Sequence, residues 1–295
     1  MIVTRFAPSP TGYLHLGHAL AALTAFELAA KADGRFLLRI EDIDRARSKS
    51  QFEAAIREDL AWLGLSWVEP VMRQSDRLPA YRAALKELDD MRLLYPCFCT
   101  RREVAAEIAR AGTAPQGPEG PLYVGTCRAL SDEERRRRMA EEIPYALRLD
   151  SHAAQTRVGE LSFHESGLGP RGERGRIAVN PLLFGDVVVA RKEMPTSYHL
   201  AVVIDDACQG VTLVTRGNDL FAAAHVQRVI QALLGLPAPD YAHHRLVCDE
   251  SGRKLSKRDR SASLRSLREQ GVAPETIRAQ LGLERIFETA AMRRS

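Results

Sequence analysis

The order of segments in the first 65 residues constrains the fold more than any other feature of this chain. A short apolar strand at Ile2-Val3 runs through a proline-rich turn into an Ala-rich helical stretch, Leu20 to Ala32. The strand-like Arg35-Phe-Leu-Leu-Arg-Ile40 follows, and then a segment with apolar residues at helical spacing, Ser50 to Leu63. Strand, helix, strand, helix predicts a parallel sheet with crossover helices, because parallel neighbours cannot be joined by a tight hairpin. Gly34 stands where the first helix is expected to stop. The fold class is therefore α/β.

From about Leu94 the texture changes to a Cys-rich turn, the Pro/Gly stretch "GTAPQGPEGPLYVGTC", a charged helix, and short strands at Tyr145 to Leu149 and Leu161 to Phe163. This reads as a unit inserted into the first. Parallel-sheet texture returns with strands at Val187 to Ala190 and Val211 to Val214, separated by the apolar run His199 to Ile204. The residues from about Arg260 read as helical. With 295 residues, 45% hydrophobic and 27% charged, disordered and collagen-like classes are excluded. No window approaches twenty uninterrupted apolar residues and the N-terminus has no basic-then-apolar leader, so a cytoplasmic protein with no membrane partner is expected. The net charge of +4 suits a polyanion but is common in proteins that bind none.

Two motifs carry chemistry. "RFAPSPTGYLHLGHA" (5–19) places a turn between strand and helix, where unsatisfied N–H groups and the helix dipole favour phosphate. Gly12 and Gly17 allow close backbone approach, and His15 and His18, three apart, share one face of the starting helix. A bare H-x-G-H is also an ordinary surface turn. The second motif, "DESGRKLSKRDRS" (249–261), puts Lys254, Ser256 and Lys257 in one polar loop able to close over a triphosphate and neutralise leaving pyrophosphate. Alone, such a loop is merely solvated.

Together, His15-Leu-Gly-His18 and Lys254-Leu-Ser-Lys257-Arg258 resemble the paired signatures of the class I aminoacyl-tRNA synthetases. "RFAPSPTGYLHLGHA", "RIEDID" (39–44), "SYHLAVVIDD" (197–206) and "GVTLVTRGNDL" (210–220) look like the glutamyl branch. The resemblance implies a Rossmann-type catalytic domain in two halves, 1–93 and 181–245, an inserted zinc-bearing α+β subdomain, 94–180, and a lysine-loop and helical C-terminal region, 246–295. It implies ATP with Mg2+, held by His15, Gly17, His18, Lys254, Ser256 and Lys257, with the two histidines and two lysines catalytic. It further implies an L-glutamate pocket of Arg5, Phe6, Ala7, Pro8, Ser9, Glu41, Tyr198 and Arg216. Arginines suit bidentate carboxylate contacts and Glu41 suits the amino group, while the division of the two carboxylates between Arg5 and Arg216 stays open. A neutral amide ligand would leave a buried guanidinium poorly compensated, so glutamine should be rejected.

Three of the five cysteines crowd into residues 97–127, which suggests either a metal site or buried reduced thiols. In one subgroup of the resembled family a Tyr stands in the fourth position, so Cys97, Cys99, Tyr123 and Cys127 are the implied ligands of one structural Zn2+. Cys208 and Cys248 are expected to pack as small apolar groups. "EERRRRMAEE" (133–142) reads as a solvated helix face laced with ion pairs. A conventional glutamyl-tRNA synthetase continues well beyond the lysine loop, whereas this sequence stops at Ser295. That length and the cysteine arrangement resemble the glutamyl-queuosine tRNA(Asp) synthetases, which implies tRNA(Asp) bearing queuosine as partner and a monomer. Two other readings stay open: a truncated synthetase charging a tRNA 3′ end, and an idle zinc-bearing RNA-binding module.

Overall fold

The computed structural model describes residues 1–111, 116–191, 194–247 and 262–283. Its first half opens with the expected alternation, β1 (Val3–Phe6), α1 (Leu16–Lys31), β2 (Arg35–Ile40) and α2 (Ser50–Trp62), and extends it with β3 (Val68–Arg73) and α3 (Leu78–Asp90). The three strands pair in parallel in the order β1-β2-β3, with Arg5 opposite Leu37. Helix α1 lies close on them because its inward positions alternate alanine with leucine: Ala19, Leu20, Ala22, Leu23 and Ala25 are all fully buried. Each buried leucine contributes about 1.5–3 kcal/mol over an exposed one.

The helix begins at Leu16 rather than Leu20, since the two histidines cap it. At its other end the left-handed residue is Asp33, at φ 47°. Gly34 serves a different need: a Cβ there would collide with the Ile2 carbonyl, which accepts from Arg35 N at 2.8 Å as the chain enters β2.

The next elements are β4 (Leu94–Cys97), α4 (Arg101–Ala111), the small β5 (Gln116–Gly117) and β6 (Gly120–Pro121), α5 (Asp132–Ala140), β7 (Ala146–Leu149), α6 (Ser151–Val158), β8 (Ser162–Glu165), β9 (Gly175–Ala178) and β10 (Val188–Arg191). Then come α7 (Tyr198–Cys208), β11 (Leu213–Gly217), α8 (Ala223–Leu233), β12 (Asp240–His244), α9 (Leu264–Glu269) and α10 (Pro274–Gln280). Strands β11 and β12 are parallel, β8 joins β12 in parallel, and β9 closes that edge antiparallel. The two sheets abut at β1 and β11, where Thr212 N donates to Val3 O at 3.0 Å and Val3 N to Thr212 Oγ1 at 2.9 Å. The order across the molecule is thus β3-β2-β1-β11-β12-β8-β9.

Sheet membership crosses the sequence-based boundaries at 94–180 and 181–245. Strands β8 and β9 lie on the main sheet, while β10 pairs antiparallel with β7 in the separate sheet β10-β7-β4. Asp186, 2% exposed, ties that smaller sheet together: it accepts from Tyr95 Oη, Arg128 Nη1, Ser151 N and Ser151 Oγ. On α5 the arginines pair with nearby acids, Arg137 with Glu134 on the helix and Glu141 at its C-cap, and Arg138 with Glu134, as a solvated face requires. No helix among the described residues is long and apolar enough to cross a membrane.

Candidate active site

Beyond the carboxyl ends of β1, β2 and β11, at the point where the strand order reverses, lies a cleft of about 590 Å3. Each wall follows from the local fold. Arg5 and Phe6 are the last residues of β1 and Ala7, Pro8 and Ser9 the turn after it; Glu41 follows β2; Arg216 is the penultimate residue of β11; Tyr198 opens α7. All eight residues expected to hold the amino acid line this one cleft, together with His18.

The histidine motif forms a reciprocal cap. His15 Nδ1 accepts from Gly17 N at 3.1 Å, His18 Nδ1 accepts from His15 N at 3.2 Å, and the ring centroids are 3.9 Å apart. With Nδ1 of each ring acting as acceptor, a neutral imidazole carries its proton on Nε2. Gly17 suits this cap because a Cβ there would sit 3.0 Å from His15 Cε1 and press on the ring. Lys254, Ser256 and Lys257 lie outside the described residues, as does Cys248.

Under the cleft is a buried ionic cluster. Arg5 donates from Nε and Nη2 to the two Asp206 oxygens at 3.0 and 3.2 Å and from Nη1 to Thr215 O at 3.3 Å. Arg39, fully buried, donates from Nη1 to Asp206 at 2.7 Å and to Gln209 Oε1 at 2.9 Å, and from Nη2 to Glu41 at 3.2 Å. Two guanidinium groups thus face two carboxylates. Burial pushes the Glu41 carboxyl above its ordinary range, against the pull of Arg39. Asp206 is held low because the two arginines outweigh its burial.

Arg216 is placed otherwise. It is 6% exposed and donates from Nε to His243 Nε2 at 3.1 Å and from Nη1 to Gln227 Oε1 at 2.8 Å, while Nη2 is buried with no hydrogen-bond partner. The Tyr241 ring lies 5.3 Å from its guanidinium carbon. These surroundings are uncharged polar or aromatic groups, so a buried cation with open donors faces the cleft.

In the inserted unit, the Sγ atoms of Cys97, Cys99 and Cys127 lie within 4.8 Å of one another. Cys99 Sγ is 3.4 Å from Cys127 Sγ and 3.7 Å from Tyr123 Oη, which accepts from Cys127 N at 2.8 Å. Four ligands at about 2.3 Å in a tetrahedron stand about 3.8 Å apart, so the donor set fits a tetrahedral metal. The hydrogen bond from Cys127 pulls the Cys97 thiol down to about 4, and the same bond pushes Cys127 up. The expectation for Cys208 is corrected: at the C-terminal end of α7 it is exposed, not packed.

Sequence reasoning passed over Arg39, Asp206 and His243: Asp206 and His243 hold the arginines of this cleft, and Arg39 pairs with Asp206. The signal for the first two was present: a charge inside the otherwise apolar strand "RFLLRI" and another inside the apolar helix "YHLAVVIDD" can be buried only as partners.

The family model described as the catalytic domain of class I tRNA synthetases (E and Q) matches residues 1–293. The chain is 51% identical over 286 residues to the glutamyl-Q tRNA(Asp) synthetase of Rhodobacter capsulatus, covering 96% of this chain and 100% of that protein. It is 42% identical to the Nocardia farcinica protein of the same name, covering 94% of this chain and 82% of that one. It is 40% identical to the glutamate–tRNA ligase of Aquifex aeolicus, of which it covers 55%. Among solved structures, the glutamate tRNA ligase of Elizabethkingia meningosepticum in complex with its amino acid superposes with a TM-score of 0.71 at 30% identity. That match covers 88% of this chain, which spans about half of the solved ligase, 52%. The chain belongs to the glutamyl and glutaminyl (E and Q) family of class I tRNA synthetases and is a ligase of that family.

Proposed function

We propose that the cleft activates L-glutamate with ATP, independently of tRNA, and transfers the glutamyl group to queuosine in the anticodon loop of tRNA(Asp). The observation that carries the first step is Arg216, a buried guanidinium with open donors on the same cleft as Glu41. A dicarboxylic amino acid supplies the anion that the arginine lacks, and its ammonium group finds Glu41. Because Arg5 is already engaged by Asp206, Arg216 is the arginine with charge left to give.

In the reaction, an oxygen of the α-carboxylate attacks the α-phosphorus of ATP and the bond to pyrophosphate breaks. The carboxylate is ionised at neutral pH, so no protein base takes part and the protein's work is positioning and charge stabilisation. The Nε2–H groups of His15 and His18 donate to phosphate oxygens, and Lys254, Lys257 and Ser256 hold the departing pyrophosphate. Mg2+ travels with ATP and offsets its charge. Cys97, Cys99, Cys127 and Tyr123 hold a structural Zn2+ that braces the inserted unit.

In the second step a hydroxyl of the queuosine cyclopentenediol attacks the glutamyl carbonyl of the adenylate, the ester forms and AMP leaves with the electron pair of the broken anhydride bond. This step is supported by the relatives named glutamyl-Q tRNA(Asp) synthetase, one of which the chain matches along its whole length. The test is glutamate-dependent ATP–pyrophosphate exchange without tRNA, followed by attachment of labelled glutamate to tRNA(Asp) bearing or lacking queuosine. Exchange without tRNA and labelling only of the queuosine form is expected. Charging of a 3′ end instead would replace this reading with that of a truncated glutamyl-tRNA synthetase.

A further inference from the structure

Arg216, His243 and Glu165 stand on the adjacent parallel strands β11, β12 and β8. Arg216 and His243 are register partners, so their side chains rise from the same face. Glu165 is fully buried and accepts at Oε1 from the backbone N–H of His243 (2.9 Å) and of Gly167 (2.8 Å). Its Oε2 is 2.5 Å from His243 Nδ1. An ionised carboxylate can only accept, so Nδ1 carries the imidazole proton. The lone pair is then on Nε2, 3.1 Å from Arg216 Nε, and it receives that N–H. Gln227 Oε1 fixes Nη1 and leaves Nη2 buried without a hydrogen-bond partner.

We infer that His243 is a positioning residue for amino-acid binding: it links the buried Glu165 carboxylate to Arg216 through a neutral ring, so that the arginine is held in place without a carboxylate occupying the donors the substrate needs. The contrast with Arg5 makes the point. Arg5 meets Asp206 directly through two donors and is neutralised. The negative charge assigned to Arg216 is one imidazole away. It lowers the cost of burying the guanidinium before substrate arrives, yet it does not compete for Nη2. The inference rests on the reading of Arg216 as the substrate's carboxylate receptor.

The test measures KM and kcat in glutamate-dependent ATP–pyrophosphate exchange for the full chain and for His243→Asn, His243→Gln and Arg216→Ala, with thermal melting of each. In His243→Asn the amide N–H still donates to Glu165, preserving the buried contact, but the side chain is too short to accept from Arg216. The KM for glutamate should rise 10-fold or more, with kcat and the KM for ATP within 3-fold of the parent. In His243→Gln the amide oxygen reaches the position of Nε2, and the KM for glutamate should return to within 3-fold. A KM for glutamate within 2-fold of the parent in His243→Asn, or a loss confined to kcat, overturns the inference. An unchanged KM in Arg216→Ala overturns instead the assignment of Arg216 to the substrate, and the two failures are thereby told apart.

Discussion

Asp206 offers the sharpest test of how the cleft is held together. It accepts three hydrogen bonds from two buried arginines, at 3.0 and 3.2 Å from Arg5 and 2.7 Å from Arg39. With Glu41 on the other side of Arg39, the cluster holds two positive and two negative groups. Asp206→Asn removes one negative charge, leaves a net positive charge out of water, and turns an amide N–H toward guanidinium N–H groups. Breaking a buried pair by removing one partner costs about 3–5 kcal/mol. At about 2–4 °C per kcal/mol for a chain of this size, the melting temperature should fall by roughly 6–20 °C. A second substitution makes the reasoning refutable. In Arg5→Met with Asp206→Asn the balance returns to Arg39 against Glu41, so the double variant should melt above Asp206→Asn although it has lost one more polar contact. Melting curves by circular dichroism at neutral pH and low salt measure both. A double variant that melts below the single one would refute the claim that charge balance, rather than the number of contacts, governs this region.

Arg216→Ala should lower glutamate-dependent pyrophosphate exchange at least 100-fold while melting no more than about 2 °C below the parent, since it removes a buried charge that lacks a direct anionic partner. Asp59 is fully buried, with Arg268 at 3.4 Å, and burial raises its carboxyl to about 6. A carboxyl raised in the folded state gives its full stability below the unfolded value and loses it as pH rises through the folded one. Native stability should therefore drop by about 2–3 kcal/mol between pH 4 and 7 on this account, and Asp59→Asn should abolish that part of the drop in urea titrations. Because burial raises Glu41, the KM for glutamate should climb on acidification from above the ordinary carboxylate range, and pyrophosphate exchange from pH 8 to 5 reads it. Cys127→Ser should reduce zinc per chain in protein purified without chelator, measured by elemental analysis; full occupancy would remove Cys127 from the ligand set.

Much of the candidate cleft was legible because it is local. Arg5 to Ser9 and His15 to His18 sit on one strand–turn–helix, and Glu41 closes the next strand, so order along the chain is nearly order in space. The start of α1 was misjudged by four residues because imidazoles cap it, and His is not among the usual capping side chains. Strand membership was harder. Strands β8, β9 and β10 have four residues each, too few for a pattern to name a partner, and Glu165 meets His243 from 78 positions away. The charge on Arg216 was visible in the sequence; that its neighbours are His243 and Gln227 rather than acids was not, since each comes from a separate element.

The seam between Thr212 and Val3 bears on how the polypeptide emerges from the ribosome. The first three strands can assemble once residue 73 is clear, but the neighbour that covers β1 is then more than a hundred codons from translation. At about 5–20 residues per second, the nascent chain carries an open strand edge for roughly 7–30 s. An unpaired edge is a template for intermolecular pairing. Slow codons placed between β3 and β11 should therefore lower the yield of soluble protein, whereas the same codons after β12 should leave it unchanged.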